Sequence, residues 1–257
     1  MSLLDQWRQS WEKYSKPGYY DEFDYAWTMS IDLDKCTGCE ACMTACQAEN
    51  NLPNVGEDEF AQGREIKWIR IERYWEGDYP NIKLGFIPMM CQHCDAAPCE
   101  TVCPVSATYH NQDGLNTQIY NRCIGTRACA VYCPYEVRYF NFTTAHWDAP
   151  LEQQLNPDVT VREKGVMEKC TFCIQRIRQA KDQAKDDGRR RVRDGEVQPA
   201  CVQTCPSQAL VFGDRKDPDS QVSQNITRQK SRAYRVLEEL NTSPSVVYLK
   251  KVDDHAS

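Results

Sequence analysis

Fifteen cysteines constrain this 257-residue chain more than any other feature, because they fall in four groups with short, repeated spacings. The groups are Cys36, Cys39, Cys42 and Cys46; Cys91, Cys94, Cys99 and Cys103; Cys123, Cys129 and Cys133; and Cys170, Cys173, Cys201 and Cys205. The third reads CIGTRACAVYCP, and Thr126 stands where the first group, CTGCEACMTAC, has Cys39. A regular pattern of four fours therefore lacks one thiol.

Three chemistries compete for so many thiols: disulfides, structural zinc and iron–sulfur clusters. Disulfide frameworks belong chiefly to small secreted chains, and an odd number leaves one thiol over. Zinc sites favour paired C-x2-C knuckles with four complete ligands each. The form C-x2-C-x2-C-x3-C instead crowds three thiolates into one loop, which suits one face of an iron–sulfur cubane. In two-cluster ferredoxins the first three cysteines of such a run bind one cluster, while the fourth, carried away on a helix, binds the other. Four runs thus make two reciprocal clamps, and the spacing alone leaves open which runs pair.

Composition narrows the function further. A hydrophobic content of 41% supports a core of modest size, in one large or two small domains. A formal charge of −6 argues against a general nucleic-acid binder, which shows a basic footprint. The N-terminus, MSLLDQWRQSWEKYSK, has no long apolar run, twin arginine or small-residue cleavage site, so no signal peptide is expected there. No stretch reaches the roughly 18 to 20 apolar residues of a membrane-spanning helix. The expectation is a soluble or peripheral chain, with export by a partner left open.

Along the chain, residues 1–27 form an aromatic arm holding Trp7, Trp11, Tyr14, Tyr19, Tyr20, Phe23, Tyr25 and Trp27. Such rings must be buried against the chain's own domain or against a partner. Thr28–Leu33 alternates as a strand before the first ligand loop, and a helix is expected to start near Cys42, carry Cys46 and end near Asn50–Asn51. Segments 66–75, 84–88 and 116–120 read as strands, the last two feeding the second and third groups. The sequence Cys-Pro recurs at 103, 133 and 205, and proline there stops the helix and turns the chain into 137–142 or 209–214. Gln47 follows Cys46 instead, so the first helix runs on. The charged insertion 176–200 reads as a solvated face or as a docking surface for an acidic partner. Val222, Ile226, Ala233, Val236, Leu237 and Leu240 have helical spacing, and 246–252 reads as a closing strand.

The runs CTGCEACMTACQAEN, CQHCDAAPCETVCPV, RCIGTRACAVYCPYEVRYFN and KCTFCIQRI with PACVQTCPSQALVFGD resemble the four-cluster electron-transfer subunits of the complex iron–sulfur molybdoenzyme family, over roughly residues 28–215. Thr126, with QAENNLPNVG and GREIKWIRIERYW, is more specifically similar to the iron–sulfur part of alternative complex III and of the bacterial quinone reductase complex (Qrc). The resemblance implies an α+β fold of two pseudo-symmetric ferredoxin-like modules with N- and C-terminal extensions. Module I would span 28–65 plus 160–215, module II 66–159, and the C-terminal helix–strand extension 216–257.

The resemblance also implies the pairing: outer runs with each other, inner runs with each other. Cluster 1 would sit on Cys36, Cys39, Cys42 and Cys205, cluster 2 on Cys46, Cys170, Cys173 and Cys201, and cluster 3 on Cys91, Cys94, Cys99 and Cys133. Cluster 4 would have Cys103, Cys123 and Cys129 alone. A cubane corner without a thiolate tends to lose its iron, which gives three [4Fe–4S] clusters and one [3Fe–4S]; ligation of a fourth iron by the Thr126 hydroxyl or a water is the alternative.

Other chemistry is sparse. His93 and His110 read as hydrogen-bonded surface residues. Arg122 and Arg127 flank the three-cysteine site, where their charge would favour a reduced cluster. No phosphate-binding glycine motif or nucleophile–base pair is present, so the chain is expected to be no enzyme on its own. It reads as a wire between a molybdopterin-type catalytic or multihaem cytochrome subunit and an integral membrane, quinone-binding subunit. The resemblance implies a peripheral, periplasmic-side position, the cytoplasmic side being the alternative. The rival readings are an iron–sulfur subunit of a polysulfide- or dimethyl-sulfoxide-type molybdopterin oxidoreductase, a free multi-cluster ferredoxin, and a zinc-dependent interaction protein.

Overall fold

Strand β1 (Trp27–Asp32) enters the fold with five of its six residues buried, as a strand covered on both faces must be. The computed structural model describes residues 24–252. The aromatic arm before residue 24 lies outside the described residues. Of its rings, Tyr25 stacks on Trp27 at 5.0 Å and Trp27 on Phe212 at 5.4 Å, so these two cover the chain's own sheet.

After β1 the first ligand loop leads into helix α1 (Ala41–Glu49), followed by the short α2 (Glu57–Ala61) and a hairpin of β2 (Ile69–Glu76) and β3 (Lys83–Met90). The inner ligand loops then alternate with short elements: α3 (Pro98–Thr101), β4 (Thr108–His110), β5 (Asn116–Gln118), α4 (Ala128–Val131) and β6 (Tyr139–Phe140). The chain returns through β7 (Met167–Glu168), α5 (Ile174–Asp186), α6 (Ala200–Gln203) and β8 (Leu210–Asp214), and closes with α7 (Gln221–Arg228), β9 (Ala233–Tyr234) and β10 (Val246–Leu249).

Helix length follows the proline rule. α1, with Gln47 after its last cysteine, runs nine residues, whereas α3, α4 and α6, each soon followed by Cys-Pro, run four. Past each proline the chain turns the same way, with Ser106, Glu136 and Gln208 at φ of 47°, 52° and 52°.

β1 is the centre of the largest sheet, ordered β8–β1–β10–β9. β8 pairs antiparallel to it, Ile31 opposite Leu210, and the Asp32 N–H donates to the Ala209 carbonyl (2.8 Å). That pairing brings the residue four before Cys36 against the residue four after Cys205. The β4–β5 hairpin repeats it between the inner runs: the Ile119 N–H, four before Cys123, donates to the Ala107 carbonyl, four after Cys103 (2.7 Å).

The C-terminal segment differs from the expected helix. α7 starts on a Ser220 cap that accepts from the Ser223 N–H (3.3 Å) and ends at Arg228. The chain then leaves the helix to pair β9 with β10, while Leu237 takes a left-handed turn (φ 53°). The competing hydrogen bonds of β10, which runs parallel to β1, outweigh the helical spacing of the apolar residues. Tyr248 on β10 is wholly buried and donates its hydroxyl to the Pro88 carbonyl (2.9 Å), tying this sheet to the β2–β3 hairpin.

The charged insertion forms α5 and a loop whose side chains pair within the chain: Arg176 with Glu49, Lys181 with Asp113, Arg189 with Asp187 and Glu196, and Arg191 with Asp214.

Candidate functional site

α1 shows how the groups are sorted. Cys42 and Cys46 lie one turn apart on its buried side, yet they face different neighbours. Burial first, then the nearby Cys36, Cys205 and Cys39, push the Cys42 thiol up to about 12. Burial, then Cys170, Cys173 and Cys201, push Cys46 well above the ordinary thiol value. The structure therefore gathers Cys36, Cys39, Cys42 and Cys205 in one place and Cys46, Cys170, Cys173 and Cys201 in another.

Cys91, Cys94, Cys99 and Cys133 together line one small cavity that Tyr135 and Arg138 also border. Burial, then the opposing charge of Arg138 and the crowding of Cys91, leave Cys99 at about 12. The remaining three cysteines are less tightly drawn. Cys129 lies on α4 and Cys103 just beyond α3, two helices that pack against each other. Cys123 accepts from the Met167 N–H (3.4 Å).

Several of the sulfurs accept hydrogen bonds from the backbone. Cys103 and Cys205 each accept from the N–H four residues on, Ala107 (3.2 Å) and Ala209 (3.3 Å), and Cys133 accepts from the Val137 N–H in the same way. Burial alone would raise Cys205, but hydrogen bonds from Ser207, Ala209 and Leu210 hold it below the usual thiol value. Cys170 accepts from the Phe172 N–H (3.4 Å) and Cys173 from the Ala200 N–H (3.5 Å). Asn50, one turn past Cys46, donates to its sulfur at 3.5 Å and reaches Cys173 at 3.9 Å.

These donor sets fit a multinuclear cluster. Among the described residues, no three His, Cys, Asp or Glu side chains converge on a point that would hold a single metal ion. A zinc ion needs four donors at about 2.0 to 2.3 Å from one centre. Thiol groups gathered around a cavity, with N–H donors turned to the sulfurs, suit the wider body and diffuse negative charge of an iron–sulfur cluster.

Exposure differs between the groups. Cys46, Cys170, Cys173 and Cys201 are all buried, as are Cys91, Cys94, Cys99 and Cys133, whereas Cys39 is exposed and Cys36, Cys205, Cys103 and Cys123 are half-buried. Thr126 is exposed as well. It sits between Gly125 (φ 71°) and Arg127 (φ 61°), as Cys39 sits between Gly38 (φ 68°) and Glu40 (φ 62°). Only glycine suits Gly125, because a Cβ there would collide with the Gly165 carbonyl.

Both histidines depart from their expected surface position. His93 is wholly buried, stacked on Phe172 at 4.0 Å, and burial, Lys169 and His110 hold it well below the usual imidazole value. The side chain of His110 is buried against the Glu100 carboxylate, Nδ1 to Oε1 at 2.5 Å. Arg127 lies exposed, its guanidinium over Phe140 (5.3 Å) and Phe142 (5.8 Å). The buried cations the sequence did not reveal include Arg138, against Cys99, Arg162, paired with Glu168, and Lys169, whose Nζ donates to the Asn116 and Cys170 carbonyls.

The fold and these thiol groups define a ferredoxin-type iron–sulfur protein. Residues 82–150 match the 4Fe-4S dicluster domain and residues 27–48 a 4Fe-4S binding domain. The chain is 42% identical to the iron-sulfur cluster-binding subunit of menaquinone reductase from Nitratidesulfovibrio vulgaris, covering 90% of this chain and 91% of the relative. It is 35% identical to iron-sulfur subunit 1 of an Hdr-like menaquinol oxidoreductase from Archaeoglobus fulgidus (87% and 83%), and 35% identical to the iron-sulfur subunit ArrB of an arsenate respiratory reductase from Shewanella (86% and 95%). The chain belongs to this family of iron–sulfur electron-transfer subunits of oxidoreductase complexes, and is not itself the catalytic member.

Proposed function

We propose that this chain conducts single electrons through four clusters in line, exchanging them with partners at its two ends only. The observation that carries this reading is the exposure profile: thiols at the two end groups reach the surface, and the two middle groups are sealed. Adjacency supports the order. Cys42 lies close enough to raise Cys201, Cys91 close enough to raise Cys170, and Arg138, which donates to Cys99, lies close to Cys129.

On this reading Cys36, Cys39, Cys42 and Cys205 hold the first [4Fe–4S] cluster, Cys46, Cys170, Cys173 and Cys201 the second, and Cys91, Cys94, Cys99 and Cys133 the third. Cys103, Cys123 and Cys129 hold a [3Fe–4S] cluster, with Thr126 at the missing ligand. Bound clusters supply one-electron transfer; the protein fixes their spacing, excludes water from the middle pair and donates hydrogen bonds to their sulfurs. Residues 28–65 with 160–215, and 66–159, act as two pseudo-symmetric clamps. The matching hydrogen bonds Asp32 to Ala209 and Ile119 to Ala107 support that symmetry.

The three-cysteine end faces a membrane, quinone-binding subunit. The relatives named for menaquinone and menaquinol support a quinone link, and Ile124, Val131 and Tyr132 form exposed apolar surface there, at 65%, 82% and 59%. The other end meets a catalytic or multihaem cytochrome subunit. The complex is peripheral to the membrane on its periplasmic side, exported with a partner, as the resemblance to alternative complex III implies.

Cys201→Ala tests the order in the intact complex. It should remove the second cluster and stop quinone-linked turnover, while the Cys103, Cys123, Cys129 site stays reducible by quinol. Turnover at the native rate without that cluster would contradict the series arrangement.

A further inference from the structure

Arg138 is 6% exposed, and its guanidinium lies against Cys99 and near Cys129. Nη1 donates to Cys99 Sγ (3.4 Å), Cys129 on α4 lies near enough for the two charges to interact, and the side chain borders the cavity lined by Cys91, Cys94, Cys99 and Cys133. Its position is fixed from behind. Nη2 donates to Thr108 Oγ1 (2.8 Å) and to Gln118 Oε1, and Thr108 itself donates to Gln118 (2.7 Å) across the β4–β5 pair. None of the hydrogen bonds described for Arg138 goes to a carboxylate, and its buried Nε has no partner among the described residues.

A guanidinium stays charged at any physiological pH, and burying one without a counter-charge costs several kcal/mol. Among the described residues the fork donates to Cys99, which would ligate one cluster, and Cys129, which would ligate the other, lies close by. Each reduction adds a negative charge beside that cation, at low dielectric, so the reduced state is favoured on both sides.

We propose that Arg138 is a fixed cation shared by the Cys91, Cys94, Cys99, Cys133 site and the Cys103, Cys123, Cys129 site, raising the reduction potentials of both clusters together. This rests on the ligand sets proposed above. Arg138 is a positioning residue: it holds charge between two sites and ligates neither.

The test is a redox titration of the intact complex, followed by paramagnetic resonance and with iron counted, on the native chain, Arg138→Gln, Arg138→Lys and Gln118→Glu. Arg138→Gln should lower both inner potentials and leave both outer ones in place; Arg138→Lys, which keeps the charge, should restore most of the fall. Gln118→Glu leaves the arginine packed but sets a carboxylate against it, and should also lower both. If Arg138→Gln loses its inner iron, Gln118→Glu decides the question. Unchanged inner potentials at full iron content, a change at one site only, or an equal fall at all four would overturn the proposal. A native chain lacking iron at the inner sites would overturn the ligand sets instead.

Discussion

Thr126 occupies a backbone position that would accept cysteine without rearrangement, since the glycine before it and the left-handed residue after it match those around Cys39. Thr126→Cys should therefore convert the fourth site to [4Fe–4S]. The oxidised protein, purified without air, should lose its three-iron resonance signal, and the site's potential should fall as a thiolate adds negative charge. An unchanged signal would refute the role given to Thr126. Beside Cys173, Glu49 accepts from Arg176 Nε (2.8 Å) and Nη2 (2.6 Å), and these bonds hold its carboxyl below the usual value. A lowered folded value stabilises the fold above the unfolded one, near 4.5, and that contribution is lost as the pH drops through the folded value. Glu49→Gln should cost about 1 kcal/mol at pH 7, read as an earlier denaturant midpoint for bleaching of cluster absorbance, and the gap should narrow towards pH 4.

At the scale of elements, register does the sorting. β1 against β8 and β4 against β5 each set a first ligand loop beside a last Cys-Pro turn. Gly125→Ala places a Cβ against the Gly165 carbonyl in a left-handed residue, a strain of about 1–3 kcal/mol, and should lower iron at the fourth site before the others. Equal loss from every site would mean the loop is not specific to the fourth. Tyr248→Phe removes the bond to Pro88 and should cost about 1–2 kcal/mol in thermal or denaturant stability with the iron content unchanged. The Cys-Pro turns, the longer first helix and the strands before the first three runs were legible in the sequence, because they depend on local chemistry: proline's fixed φ, helical spacing and alternation. What was not legible depends on distant partners. His93 is buried because Phe172 covers it, and Arg138 reads as an ordinary strand residue until β4–β5 and Cys99 close around it. The C-terminal spacing spelled a helix, and β10 took part of that segment as a strand partner.

Across the whole molecule, no helix among the described residues is long and apolar enough to cross a membrane. Near Thr126, the exposed Ile124, Val131 and Tyr132 form apolar surface. The account stands on fifteen thiolates holding four clusters, one of them short of an iron. The most direct test is to purify the chain without air in its complex and quantify iron, sulfide and zinc per chain, alongside the resonance spectrum of the oxidised state. The account predicts about 15 iron and about 16 sulfide on this chain, no stoichiometric zinc and one three-iron signal. Iron near zero with zinc in its place would contradict the metal assignment, and about 16 iron with no three-iron signal would contradict the fourth site.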